Sequence, residues 1–269
     1  MKFVIGMGDK RKLAIFCQFV ENIKNICEFI TFHFNESDIY SQGMSGDHCS
    51  IFEITINSEW FELYQKDEND ANIITLRTST LAKILDTRQK SQFLVVEYKG
   101  EPNKLNIKLK NKPKDQVKDE YPKEFELPLI NIDHELMNVP DKEYSVEFNI
   151  CSTKFRNIIE QLLLFDSVIS INCDEETIRF QSNGEDGALT VNLFDEKNKY
   201  IDEFLIEEEY NFKSDFDAKH LYNFCKFSKL AKNISLGFTN DYPMRMSYLM
   251  DDENIKLIFL LAPRIKEDE

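Results

Sequence analysis

The sequence predicts an α+β protein built of two similar halves. Three observations predict it. Helical and strand-like patterns alternate in an order that occurs twice. Matching text recurs at nearly one offset. Positive charge collects on the helices of a chain whose formal net charge is −15.

The 269 residues suit one large domain or two of about 130 residues each. Hydrophobic residues make up 42% and charged residues 30%, which allows a sizeable core and argues against global disorder. No apolar run reaches the ~18 residues of a membrane span. The opening "MKFVIGMGDKRK" is charged too early for a signal peptide, so an intracellular protein, neither secreted nor in a membrane, is expected. Six cysteines (Cys17, Cys27, Cys49, Cys151, Cys173, Cys225) are scattered in apolar patterns and read as reduced core residues. No metal site and no cofactor are expected.

Taken in order, the first helix is expected near Asp9–Ile26, with Leu13, Phe16, Cys17, Val20 and Ile23 at helical spacing. Strands such as "FITFHF" and "SIFEITI" follow. A second helix, Ser79–Lys90, opens on a Ser/Thr cap signal. "FLVVEY" and "KLNIKL" come next, then "YSVEFNI". A third helix, Ser152–Phe165, opens the same way and leads into "VISINC", "TIRFQS" and "ALTVNLF". The fourth helix is "KHLYNFCKFSKLAKN", Lys219–Asn233, before "ISLGFT" and "IKLIFLL".

The repeat is textual as well. "KLAIFCQF" aligns with "KFRNIIEQ", pairing Lys12 with Lys154 at an offset of 142. "LAKILDTR" aligns with "LYNFCKFS", pairing Leu81 with Leu221 at an offset of 140. The unit of about 140 residues is therefore duplicated. Pro128 and Pro140 bracket the joint, giving domains at 1–127 and 142–269 with a connector at 128–141.

The four helical segments hold thirteen basic and five acidic residues, a net of +8, which leaves −23 for the rest of the chain. On the fourth, Lys219, Asn223 and Lys226 share the side opposite Leu221, Phe224 and Cys225. On the first, the polar side holds Arg11, Gln18, Asn22 and Asn25, with Glu21 its one acid. One such helix reads as an ordinary solvated face. Four of the same sign in so acidic a chain point to a polyanion met through phosphate contacts.

The segments "YSQGMSGDHCSIFEI", "STLAKIL", "LINIDHELMNVPDKEYSVEFNI", "IRFQSNGEDG" and "LAPRIKEDE" together resemble the DNA sliding clamps of the proliferating cell nuclear antigen family, over nearly the whole chain. The resemblance implies the DNA-clamp fold. Each of its two similar domains sets two helices on antiparallel sheets, and a trimer closes into a ring with pseudo-six-fold symmetry. The helices line the hole around double-stranded DNA, bound without regard to sequence. On that basis Lys10, Arg11, Lys12, Lys24, Lys83, Lys154, Arg156, Lys219 and Lys226 are the expected DNA contacts. Subunit joints are expected at Lys123–Leu129 and Gly187–Phe194. Partners would be a DNA polymerase, other proteins with clamp-binding peptide motifs, and a clamp loader. The implied peptide pocket comprises Met44, His48, Cys49, Met137, Val139, Pro140, Pro243, Leu260, Ala262 and Pro263. It would take the apolar side chains of a 3₁₀ turn.

The chain departs from the family pattern in places. Leu260 stands where the family usually has an aromatic, and Cys49 where it has a β-branched or similar apolar residue, which implies a pocket with its own plug preference. Asn157 and Glu160 replace residues often basic in the family. The segment "NKPKDQVKDEYPKEF" is long and highly charged ahead of the expected joint.

In "GDHCS", neighbours Asp47, His48 and Cys49 point apart and cannot form a nucleophile–base–orienter chain, so no enzyme is expected. Asp202/Glu203, Glu207–Glu209 and Asp251/Asp252 read as solvated charge runs. Within clamp-like proteins, the alternatives are a monomeric polymerase accessory protein and one subunit of a heterotrimeric checkpoint-type ring. A further one is a peptide-binding scaffold. The residue usage, rich in Asn, Lys, Ile, Asp and Phe, suggests an AT-rich genome, a large DNA virus or a protist. The site of action would then be a nucleus or a cytoplasmic viral replication site.

Overall fold

The computed structural model describes residues 3–67, 72–100, 104–111, 121–132, 136–140, 142–193 and 201–265. The chain divides into two compact units, residues 1–46 with 53–137, and residues 47–52 with 138–269. The first carries β1 (Phe3–Met7), α1 (Lys10–Ile23), β2 (Phe29–Phe34), β3 (Asp38–Met44), β4 (Ser50–Asn57), a 3₁₀ turn (Ser58–Trp60), β5 (Leu63–Lys66), β6 (Asn72–Arg77), α2 (Thr78–Asp86), β7 (Gln92–Tyr98), β8 (Lys104–Asn111) and β9 (Lys123–Pro128). The first three residues of β4 are counted with the second unit. That unit carries β10 (Val146–Cys151), α3 (Ser152–Leu162), β11 (Val168–Cys173), β12 (Ile178–Gly184), β13 (Gly187–Leu193), β14 (Ile201–Ile206), β15 (Phe212–Asp217), α4 (Ala218–Cys225), β16 (Asn233–Phe238), β17 (Met244–Met250) and β18 (Ile255–Leu261).

The two units share one element order, strand, helix, five strands, helix, three strands. They also share strand connectivity. Unit one has the sheet orders β5-β1-β7-β8-β9 and β4-β3-β2-β6; unit two has β14-β10-β16-β17-β18 and β13-β12-β11-β15. Pairing is antiparallel, for example Leu94↔Leu109 and Ile107↔Phe125 in the first unit and Phe180↔Val191 in the second. Helix starts lie 142 residues apart from Lys10 to Ser152 and 140 apart from Thr78 to Ala218, the two offsets of the repeated text.

Strand alternation builds each core. In the first unit Leu94, Leu105, Ile107 and Leu109 are fully buried. A small apolar cavity of about 40 Å³ is lined by Ile5, Phe32, Ile56, Leu81, Leu94 and Ile107 among others, so both sheets and α2 converge on one core. In the second unit the rings of Phe224 and Phe259 stack at 4.3 Å and 5°. The Tyr248 hydroxyl donates to the Phe224 carbonyl at 2.9 Å, seating α4 on β17 and β18. Gly184 is required by packing, since a Cβ there would lie 1.9 Å from the Phe165 carbonyl oxygen.

Several helix expectations need correction. The observed helices are shorter. Turns after Ile23, Leu85, Leu162 and Phe224 continue the apolar pattern with bonds such as Ile26 N to Ile23 O and Leu230 N to Phe227 O. The Ser/Thr caps are absent. α2 and α3 start after Arg77 and Cys151, neither of which makes a side-chain capping bond through the helix-cap pattern. The first-turn hydroxyls donate instead. Thr78 Oγ1 reaches the Cys27 carbonyl at 2.8 Å, and Ser152 Oγ reaches those of Ser228 at 2.8 Å and Lys232 at 3.1 Å. Each ties the start of one helix to the turn after its neighbour. True caps are carboxylates: Asp9 accepts from the Arg11 and Lys12 N–H groups, and Asp217 from that of His220. The bonds from Lys12 and then Arg11 hold the Asp9 carboxyl below its ordinary value.

Asn22 also differs from its expected polar face. It is buried and accepts from Gln18 Nε2 at 3.1 Å. All six cysteines are free thiols, but Cys27, Cys173 and Cys225 alone are buried; Cys17 and Cys151 are half-buried and Cys49 is exposed. Cys49 sits in a turn ahead of β4, where the apolar pattern has no core to face.

Candidate functional site

The first unit packs α1 against α2, and the second packs α3 against α4. Amphipathic spacing sends Leu13, Val20 and Ile23 of α1, and Leu221 and Phe224 of α4, into their cores. It leaves Lys10, Arg11, Lys83, Lys154 and Lys219 exposed. Several of the expected cations have partners within the fold. Lys12 Nζ donates to the Trp60 carbonyl at 2.6 Å and lies 5.8 Å from that ring's centroid. Lys24 pairs with Glu21. Arg156 holds Glu160 Oε1 through Nε at 2.8 Å and Nη2 at 2.7 Å.

Lys226 caps the end of α4, its Nζ 5.3 Å from the Tyr222 ring centroid. Burial, and then the nearby Arg156 charge, push its ammonium below the ordinary range. Tyr222 was not anticipated; its place one turn before Lys226 is the signal that was available.

The positive charge is spread differently from the sequence expectation. The observed helices hold seven basic and three acidic residues, a net of +4 rather than +8. Lys24 and Lys226 are C-caps, and Arg88, Lys90, Lys229 and Lys232 lie beyond the helices. Six of the thirteen cations therefore sit at and after C-terminal ends, where they also complement the helix dipole.

The expected pocket residues fall in both units. In the first, Met44 closes β3 and Met137 lies in the connector outside any strand; both are half-buried. The Met137 backbone is bonded by the side chain of Gln42, a residue with no periodic signature. In the second, the Ala262 N–H donates to the Cys49 carbonyl at 2.9 Å, bringing those two together. The Tyr242 hydroxyl donates to the Pro140 carbonyl at 3.2 Å, and that of Tyr144 to the Pro243 carbonyl at 3.3 Å. Val139, Pro243 and Pro263 are half-buried, Pro140 and Ala262 exposed, and Leu260 is buried at 7% exposure.

His48 has φ of 60°, in the left-handed region. Asp47 Oδ2 lies 2.7 Å from His220 Nε2, and Ser50 Oγ lies 3.4 Å from His220 Nδ1. This resembles an acid–base–hydroxyl chain. Ser50, however, is buried at 2% exposure within a strand, with no approach for a substrate. The set instead pins the turn carrying His48 and Cys49 to the start of α4. A separation of 173 residues hid it from the sequence. Among the described residues no three His, Cys, Asp or Glu side chains converge as metal ligands, and no helix is long and apolar enough to cross a membrane.

A duplicated unit of paired helices on antiparallel sheets, with cations along the helices, defines the DNA sliding clamp class. Residues 10–136 match the family model for the proliferating cell nuclear antigen N-terminal domain, and residues 138–264 that for its C-terminal domain. The chain belongs to the proliferating cell nuclear antigen family. It is 26% identical over 258 residues to the proliferating cell nuclear antigen of Chaetomium thermophilum, covering 95% of this chain and 96% of the relative. It is 24% identical over 250 residues to proliferating cell nuclear antigen 2 of Drosophila melanogaster, covering 93% and 94%. Family membership makes it a sliding clamp and processivity factor of DNA replication and repair, a DNA-associated scaffold and not an enzyme.

Proposed function

We propose that three copies close head to tail into a homotrimeric ring around duplex DNA. The observation that carries this is β13. It is the outermost strand of its sheet, and its seven residues, "GALTVNL", include no charge and no proline in a chain that is 30% charged. An uncharged, regular edge invites pairing and persists in solution when another strand covers it. β9 is likewise outermost in its own sheet. Pairing β9 of one copy with β13 of the next covers both edges. Leu129 directly follows β9; Phe194, expected in the same joint, lies outside the described residues.

In this reading Lys10, Arg11, Lys83, Lys154 and Lys219 meet phosphates directly. Lys24, Arg156 and Lys226 do so as well, and Lys12 supports the helix start. The interaction is sequence-blind and salt-screened, which permits sliding. Residues 1–127 and 142–269 act as the two clamp domains, and 128–141 as the connector. The apolar residues from Met44 to Pro263 named above receive a polymerase's or other partner's 3₁₀-turn peptide. A loader places the ring on DNA in a nucleus or a viral replication site.

The test is absolute mass by light scattering on a sizing column at two protein concentrations. Copies of 31.7 kDa should give a species of about 95 kDa. A 31.7 kDa species at both concentrations would contradict the ring.

A further inference from the structure

We propose that Gln42 is a positioning residue that holds the connector in its peptide-binding conformation; the inference rests on the peptide-docking reading above. Gln42 lies in β3 at 1% exposure. Its Nε2 donates to Glu53 Oε1 at 2.9 Å and to the Met137 carbonyl at 3.0 Å, while its Oε1 accepts from the Met137 N–H at 2.8 Å. The carboxylate of Glu53 accepts only, so the amide nitrogen must face it. The amide oxygen is then left toward the Met137 N–H. Glu53 Oε1 also accepts from the Tyr40 hydroxyl at 2.9 Å, which fixes the carboxylate in turn.

Met137 lies outside any strand. A single side chain, 95 residues away in sequence, satisfies both its N–H and its C=O. The clasp imitates one rung of a β-ladder. It sets the backbone so that Leu136 is exposed and Met137 is half-buried. A docking peptide therefore meets a Met137 that is already placed. Without the clasp, binding has to order this part of the connector and bears that entropic cost. Among the described residues, the titratable groups around the amide are Glu53 of β4, Tyr40 of β3 and, 6.2 Å ring to ring beyond Tyr40, His33 of β2.

The test uses the full chain and a fluorescein-labelled peptide carrying three apolar side chains on one 3₁₀ turn, read by anisotropy. Gln42→Ala should weaken binding about tenfold or more, with mass and DNA retention unchanged. Gln42→Glu keeps an acceptor for the Met137 N–H but loses the donor and sets a second carboxylate beside Glu53. Its affinity should be low at pH 8 and recover as the pair takes up a proton toward pH 5.5, a recovery the wild type lacks. The pH profile decides the matter even if Gln42→Ala folds poorly. Wild-type affinity in both variants, or a loss in Gln42→Glu that is constant with pH, would overturn the positioning role. Absence of binding by the wild-type chain would instead overturn the peptide-docking reading beneath it.

Discussion

Replacing Thr190 and Asn192 together with glutamate should break the ring into single subunits. Both residues are exposed on β13, and the exposed positions of β9 include Glu124 and Glu126. Pairing the two edges would then set carboxylates of like sign opposite one another. Each such pair costs up to ~1 kcal/mol, so two pairs weaken one joint by roughly thirtyfold. Closure needs three joints at once, so the effect on the trimer is larger than on any single joint. Light scattering should show the mass fall from about 95 kDa to one subunit's 31.7 kDa, with the melting temperature of the subunit little changed because both sites are exposed. A double variant that stays trimeric would show that β13 is not the joint.

The second large effect is expected from Lys83→Glu, Lys154→Glu and Lys219→Glu combined. These side chains are exposed on α2, α3 and α4, so the fold and the trimer should survive. Each phosphate contact contributes about 0.9 to the slope of log affinity against log salt on duplex DNA. Losing three contacts per subunit should flatten that slope measurably and abolish polymerase stimulation at physiological salt. Unchanged stimulation would assign these cations to solubility alone, and the helices would lose their role. Lys12→Glu is the informative contrast, because it should disturb the Trp60 contact and stability more than DNA affinity.

The duplication was legible because it is written twice. Text offsets of 142 and 140 reappear as the spacing of helix starts, and strands such as "VISINC" and "KLNIKL" alternate in sequence as they do in burial. Helix ends were not legible. The turn Asn25–Ile26 and the residues Phe227–Leu230 extend the apolar rhythm past the cap, and only backbone bonding distinguishes turn from helix. The hydroxyls of Thr78 and Ser152 misled for a different reason. A serine or threonine before an apolar run fits a cap, but these two donate to carbonyls 50 and 76 residues away.

The site was legible where charge and repeat coincide, and hidden where it depends on distant pairs. The exposure of Lys219 was legible from helical phase, opposite Leu221 and Phe224, while Lys83 and Lys154 were named through the family resemblance. Gln42 with Met137, and Asp47 with His220, join positions 95 and 173 residues apart through single side chains. No local pattern marks them. Lys12 and Arg156 show the reverse case, as charges that a sequence leaves open and packing engages.

The most direct measurement of encirclement is retention on end-blocked DNA. A linear duplex fixed to a bead at one end is incubated with the protein, its free end is capped or left open, and both samples are washed at about 1 M salt, where the Debye length is ~3 Å. A ring held by topology stays on the capped duplex and slides off the open one. Equal loss from both would contradict encirclement and leave an accessory protein held by charge alone.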